Sequence, residues 1–368
     1  MFGLLVFSHW PGSCSLHLAG NIAASGMTMQ HHWAHNSGTV ATRTGITWRA
    51  ACALALLAAL AVTPAQAATP WPTRTVTVVV PFAAGGFTDI LARLVAKHMS
   101  EKFGHAVIVE NRAGAAGAIA ANYVAAAAPD GYTLFFASAS QISVAPLWQK
   151  VAYDPDAFAP VAIFGTIPFL MGVKASLPVK TVAEFVAYAK ANPGKLNYAT
   201  AGQGSTSHLI GAGFTSISGI DMVHVPFKGS APVTAALVQG TIETAFGGVS
   251  EMAAQMTNES VRIIAISAKE RLPSLPEVPT IAETYPGFSL ETWNGFVAPR
   301  GTPKEIIDKV AQATIEAAKS PEIAKRLADL GIAASTTTPE EMAAVIKSDK
   351  TKYSDILKAA GLLPAPLN

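Results

Sequence analysis

From Trp71 onward, short runs of apolar and β-branched residues alternate with longer segments whose apolar positions recur every three or four residues. That alternation predicts stacked βα units and a parallel-rich sheet. The clearest unit spans residues 75–103, TVTVVVPFAAGGFTDILARLVAKHMSEKF. Residues 75–80 are β-branched throughout, as suits a strand buried on both faces, and Pro81 ends it. Gly85 and Gly86 permit a sharp turn, and Thr88 or Asp89 is placed to cap a helix with Leu91, Leu94, Val95, His98 and Met99 on one face. In an open parallel sheet such a loop lies at the carboxyl end of its strand, where helix-start amides meet ligands.

The same reading continues along the chain. Strand 106–110, the loop ENRAGAAG, a helix over about 119–128, the turn Pro129-Asp130-Gly131 and strand 132–137 complete one compact half. The apolar stretch 158–173 is long for one strand and reads as a first passage between two lobes. Thr181 and Glu184 form a capping box for the next helix, and strand 196–200 then runs into AGQGSTSH and a helix over about 207–215. Strand 222–226, the loop Phe227 to Ser230, helix 231–239, and strands 242–247 and 262–267 follow. Residues 288–298 read as the return passage. Thr302-Pro303, Ser320-Pro321 and Thr338-Pro339 then open three terminal helices, each with a cap residue before a proline.

Two crossings between two α/β lobes define a hinged molecule with a cleft, a shape shared by solute-binding proteins and some two-lobed enzymes. The expected division is a leader over 1–67, one lobe over 68–165 and 295–368, and a second over 166–294. A chain of 368 residues has room for two such lobes.

The leader changes the picture of charge and compartment. Arg43 and Arg49, the apolar run 50–62 and Ala65-Gln66-Ala67 form the basic, apolar and small-residue parts of a secretory signal, with cleavage expected after Ala67 and a periplasmic product. Met27 and Met29 are alternative starts. Both cysteines, Cys14 and Cys52, precede the cut, so the mature chain has no thiol for a disulfide, metal or nucleophile. Removing the leader's two arginines from 26 basic residues leaves 24 against 24 acidic ones, a balance that argues against a nucleic-acid partner.

Catalytic chemistry has little to stand on. No HExxH, CxxC or G-x-S-x-G pattern is present, and no metal or cofactor is expected. His98 and His105 read as structural or solvent-facing. His208 follows Ser205, Thr206 and Ser207, so a hydrolase using Ser205 and His208 is the rival reading, although no orienting acid accompanies them. The glycine loops lack the Lys-Ser/Thr of a phosphate loop and the order of a dinucleotide fingerprint. They offer amides and small hydroxyls at helix starts, where hydrogen bonds to a charged group contribute ~1.5 to 3 kcal/mol each and a helix dipole ~0.3 to 1 kcal/mol. A small carboxylate is the ligand that this chemistry implies. Arg112 is expected to pair with Glu110, and Lys228 to face solvent.

VPFAAGGFTD, VENRAGAAG, APDGYTL, NPGKLNYATAGQGSTSH, DMVHVPFKGSAP and LPEVPTIAE stand in an order and spacing that resembles the Bug family, the periplasmic binding components of tripartite tricarboxylate transporters. The resemblance spans Trp71 to the C-terminus. It implies a two-lobed periplasmic-binding-protein type II, or Venus flytrap, fold that captures a small carboxylate and delivers it to two integral-membrane subunits. Carried over by motif, it implies ligand contacts from Phe82, Ala83, Gly86 and Asp89 in the first loop, and from Ser138 and Ser140 after the third strand. In the second lobe it implies Thr200, Gly202, Gly204, Ser205, Thr206 and Ser207, with Gly229, Ser230 and Ala231. Phe87 and the pair Gly247-Gly248 depart from the family pattern, and Phe87 is expected either to line the pocket or to pack against the first helix.

Overall fold

The computed structural model describes residues 70–359 and 361–363. The expected leader and its cleavage point lie outside the described residues. In chain order the elements are β1 (Val76–Val80), α1 (Phe87–Phe103), β2 (Val107–Asn111), α2 (Ala118–Ala125), β3 (Thr133–Ser138), β4 (Phe158–Lys174), α3 (Val182–Ala191), β5 (Asn197–Thr200), α4 (Thr206–Ser218), β6 (Val223–Pro226), α5 (Ser230–Val238), β7 (Thr244–Gly248), α6 (Val249–Ala253), β8 (Val261–Ile266), β9 (Glu291–Pro299), α7 (Lys304–Lys319), α8 (Pro321–Asp329), β10 (Ala333–Ala334) and α9 (Pro339–Ala359). A π turn, Ser140–Val144, and a helical turn, Ala145–Trp148, follow β3.

Strands pair in the order β2-β1-β3-β9-β4-β7-β5-β6, and β8 and β10 also pair with β4. Two parallel triplets carry the two lobes, β2-β1-β3 and β6-β5-β7. Antiparallel β9 and β4 stand between them. β4 resolves the long apolar stretch as one 17-residue strand. Its first part pairs with β9 as far as Pro168, and from Phe169 onward it pairs with β7, joined by β8 from Leu170. Both faces are covered along most of this run, which is why it lacks the alternation of a half-exposed strand.

Buried Ser267 stitches the changeover. Its hydroxyl donates to Leu290 O at 2.6 Å and accepts from Phe169 N at 2.9 Å, while its own N–H donates to Phe169 O at 2.8 Å. On the first-lobe side Phe136 meets Phe296 edge-on at 4.9 Å, within a core that includes Phe135 and Phe164. Such a pair contributes about 0.5–1.5 kcal/mol beyond the area it buries.

The helix starts differ in detail from the expectation. Neither Thr88 nor Asp89 caps α1: Gly86 holds that position without a side-chain bond, and Asp89 lies within the first turn. The reason is backbone geometry, because Gly85 at φ +83° brings its N–H onto Asp89 Oδ2 at 3.0 Å. Thr181 and Thr338 do cap their helices, accepting from Glu184 N and Glu341 N. Ser320 makes no side-chain cap bond.

Candidate functional site

The loop after β1 is tied from behind. Asp89 also bonds Arg93 and Asn111, and Asn111 in turn donates to Phe82 O at 3.1 Å. Burial works against the charge on Asp89, but hydrogen bonds from Arg93, Gly85 N–H and Asn111 outweigh it and hold its pKa below the ordinary carboxylate value. Asp89 therefore fixes the loop with both oxygens engaged. After β3, the Gln141 side chain accepts from Ser138 N–H and Oγ–H and donates to Ala116 O, which joins the β3 end to the loop before α2.

The second lobe presents a matching set after β5. Ser205 is the cap of α4, accepting from His208 N at 3.2 Å, and its hydroxyl shares a 3.0 Å bond with Ser207 Oγ. Ser207 Oγ also accepts from Ala201 N, and Thr200 Oγ1 meets His224 Nε2 at 2.6 Å. Gly204 N–H donates to His208 Nδ1.

The loops of the two lobes touch. Thr206 N–H donates to Ser140 Oγ at 3.0 Å and their hydroxyls lie 3.1 Å apart. Ala83 N–H donates to Lys228 O at 3.1 Å, beside Gly229. The cleft is shut around a cavity of about 10 Å³, room for roughly one water molecule. Ser138, Ser140, Ser205, Ser207, Ser230 and Thr292 supply hydroxyls to its wall, and Phe82, Phe87 and Phe169 close the apolar side with Ala201.

Of the residues singled out in the sequence, Phe82, Ser138, Ser140, Ser205, Ser207 and Ser230 line this cavity. Thr206 and Gly86 lie beside it, through Ser140 and Ser230 respectively. Ala83 and Gly229 meet where the loops of the two lobes touch, and Ala231 follows Ser230 in the first turn of α5. Thr200, Gly202 and Gly204 shape the β5–α4 loop without lining the cavity, Gly202 packing against Ala116. Phe87 both lines the cavity and meets Phe169 edge-on at 5.9 Å.

Sequence reasoning missed Phe169, Thr292 and Asn294. Asn294 sits opposite Ser138 in the β3–β9 register and so on the same sheet face. It is fully buried, and neither its Oδ1 nor its Nδ2 bonds a protein atom among the described residues. An asparagine inside the apolar run of β9 was the available signal.

The hydrolase reading fails on geometry. His208 Nδ1 is occupied by Gly204 N–H, while Ser205 Oγ pairs with Ser207, so no serine–imidazole bond forms. His208 stacks between Trp148 at 4.1 Å and His224 at 3.7 Å, and burial, with His224 adding to it, pushes its pKa down to about 3. Burial likewise lowers His224 to about 4. Both imidazoles are neutral packing groups. Arg112 pairs with Glu110 at 2.7 Å and lies over Tyr123, and Lys228 is exposed. No lysine or arginine among the described residues lines the cavity. Among the described residues no cluster of His, Cys, Asp or Glu could hold a metal, and no helix is long and apolar enough to cross a membrane.

Residues 91–362 match the family model described as tripartite tricarboxylate transporter family receptor. A relative described as a UPF0065 protein in the tcbD-tcbE intergenic region of Pseudomonas sp. strain P51 is 34% identical, over 84% of this chain and 93% of its own. Among solved structures, R. palustris Rpa4515 with adipate is 34% identical with a TM-score of 0.78, over 80% of this chain and 100% of that one. MatC from Rhodopseudomonas palustris with bound malate is 36% identical with a TM-score of 0.74, over 78% and 100%. These similarities cover both lobes and concern ligand-binding receptors, not enzymes. The chain belongs to the receptor family of tripartite tricarboxylate transporters, whose members are the Bug-type solute-binding proteins.

Proposed function

We propose that this receptor is exported to the periplasm after cleavage following Ala67, binds a small carboxylate between its lobes, and delivers it to two integral-membrane subunits without any nucleic-acid partner. In this reading one lobe takes 68–165 with 295–368 and the other 166–294, a division that the change of β4 partners between Pro168 and Phe169 supports. The observation that carries the reading is the cavity wall, with hydroxyls from both lobes, the start of α4 and no cationic side chain. Such a wall holds a carboxylate by hydrogen bonds alone, with the α4 dipole adding ~0.3 to 1 kcal/mol. Buried Asn294 supplies a further donor and acceptor beside Ser138.

In this reading Ser205 and Ser207 hold the carboxylate, with Ser138, Ser140, Ser230 and Phe82 around it and Ala83, Gly86, Asp89, Thr200, Gly202, Gly204, Thr206, Gly229 and Ala231 framing the loops. The two solved relatives hold adipate and malate, which supports a carboxylate as the ligand class here. The test is a thermal-shift screen against mono-, di-, tri- and aromatic carboxylates. A true ligand at a hundred times its dissociation constant adds ~2.7 kcal/mol of stability. A flat response to every carboxylate at millimolar concentration refutes the reading.

A further inference from the structure

Two helix starts face the cleft, those of α1 and α4, and one of them already holds a carboxylate belonging to the protein. Glu251, in α6, reaches across from the second lobe. Its Oε1 accepts from Phe87 N–H at 2.6 Å and from the Ser230 hydroxyl at 2.5 Å, and its Oε2 accepts from Ser250 Oγ at 2.9 Å. Phe87 is the first residue of the 17-residue α1, so its amide belongs to the positive end of that helix. Phe87 and Ser230 line the cavity, which puts the Glu251 carboxylate directly behind the wall.

Three residues make this arrangement together. A Cβ on Gly248 would lie 2.4 Å from Phe87 Cδ1 and 2.7 Å from Glu251 Oε2. The bare backbone at 248 is therefore what admits both the Phe87 ring and the Glu251 carboxylate. Of the departures noted in the sequence, Phe87 and Gly248 are one structural feature, and Glu251 is its chemical end.

No lysine or arginine among the described residues bonds Glu251. Arg93, on α1, is engaged by Asp89, and Lys228, in the loop before Ser230, is exposed. A ligand bearing a second carboxylate would place it against Glu251 with no cation to separate them, and the α1 amide that could receive it is taken. We propose that Glu251 is a specificity determinant which makes this receptor select carboxylates with one charged end and a neutral far end over dicarboxylates. The neutral end lies against Phe87 and Phe169, and an amide or hydroxyl there gains Glu251 as an acceptor.

This rests on the carboxylate reading given above, and the experiment separates the two. Titration calorimetry on the mature protein compares each dicarboxylate from succinate to suberate with its own monoamide, which matches it in length and shape. In the parent the best-bound monoamide is expected to bind at least tenfold tighter than its diacid. Glu251→Gln keeps the size of the side chain, removes its charge, and is expected to bring that ratio below threefold. A parent that binds the diacid as well as the monoamide, or better, overturns the inference and leaves the carboxylate reading standing. A ratio unchanged in Glu251→Gln also overturns it. Failure of every pair to bind overturns the carboxylate reading and the inference with it. Should Glu251→Gln fail to fold, the parent's own ratio still decides.

Discussion

Replacing Ser140 with alanine removes a contact made only when the cleft is shut. In the closed form Ser140 Oγ accepts from Thr206 N–H at 3.0 Å and lies 3.1 Å from Thr206 Oγ1, with both residues almost wholly buried. Two bonds at a net ~0.5 to 1.5 kcal/mol each give roughly 1 to 3 kcal/mol of closure free energy. A ligand shifts an open and closed equilibrium only through its difference in affinity for the two states, so weaker closure appears as weaker binding. The expected loss is about 5- to 150-fold in affinity, at 1.4 kcal/mol for each factor of ten. Among the described residues Ser140 Oγ accepts nothing from its own lobe, so the open form should keep its melting behaviour. Calorimetry gives the affinity, and small-angle scattering with and without ligand gives the compaction. Parent-like affinity and parent-like compaction in Ser140→Ala would refute the reasoning, since the Ser140–Thr206 contact would then contribute nothing to closure. Ser140 is a better probe than Ser205, whose removal would also cost a helix cap worth about 1 kcal/mol.

Other consequences follow from the same geometry. Asn294→Leu removes a buried amide that bonds no described protein atom, so ligand-free stability should hold or rise by ~1 to 3 kcal/mol while ligand affinity falls at least tenfold; a destabilised, normally binding variant would contradict this. Gly248→Ala should cost about 1–3 kcal/mol through overpacking against Phe87 and Glu251, and Phe87→Ala in the same chain should recover part of it; additive losses in chemical denaturation would mean the two positions do not compete. His208 has its pKa lowered to about 3 in the folded state against about 6.5 unfolded, so its contribution is fully present above pH 6.5 and is lost as pH falls toward 3. Between about pH 5.5 and 4 that gives a slope approaching about 1.4 kcal/mol per pH unit from this residue, and His208→Gln should flatten it; an unchanged slope would show that the ring protonates freely. N-terminal sequencing of periplasmic protein should begin at Ala68, and retention of the first 67 residues would contradict export by cleavage.

What could be read from the chain was local. The β-branched run 76–80, the glycine turn and the stripe of Leu91, Val95 and Met99 sit within one βα unit, and Thr181 and Thr338 reveal their helices within four residues. The serines at the β3 end came from the family resemblance, whereas the hydroxyls at the β5 end were also visible as the start of a helix. What escaped depends on residues far apart in sequence. Glu251 meets Phe87 across 164 positions, and Asn294 meets Ser138 only through the β3–β9 register. Burial overrode side-chain type at His208, which looks like chemistry in the sequence and stacks with His224 as a neutral ring in the fold. The partner change within β4 was hidden because both halves of that strand are buried alike.

The most direct measurement is a crystal structure of the mature protein with the carboxylate that gives the largest thermal shift. The expected result is a carboxylate with its oxygens about 2.7–3.2 Å from the Ser205 and Ser207 hydroxyls and amides at the start of α4, with first-lobe serines closing over it and no lysine or arginine in contact. A ligand clamped by Arg112 or Lys228, or seated in the outer groove formed by Gly213, Ile217, Phe288 and Ile356, would contradict a site built from hydroxyls between the lobes.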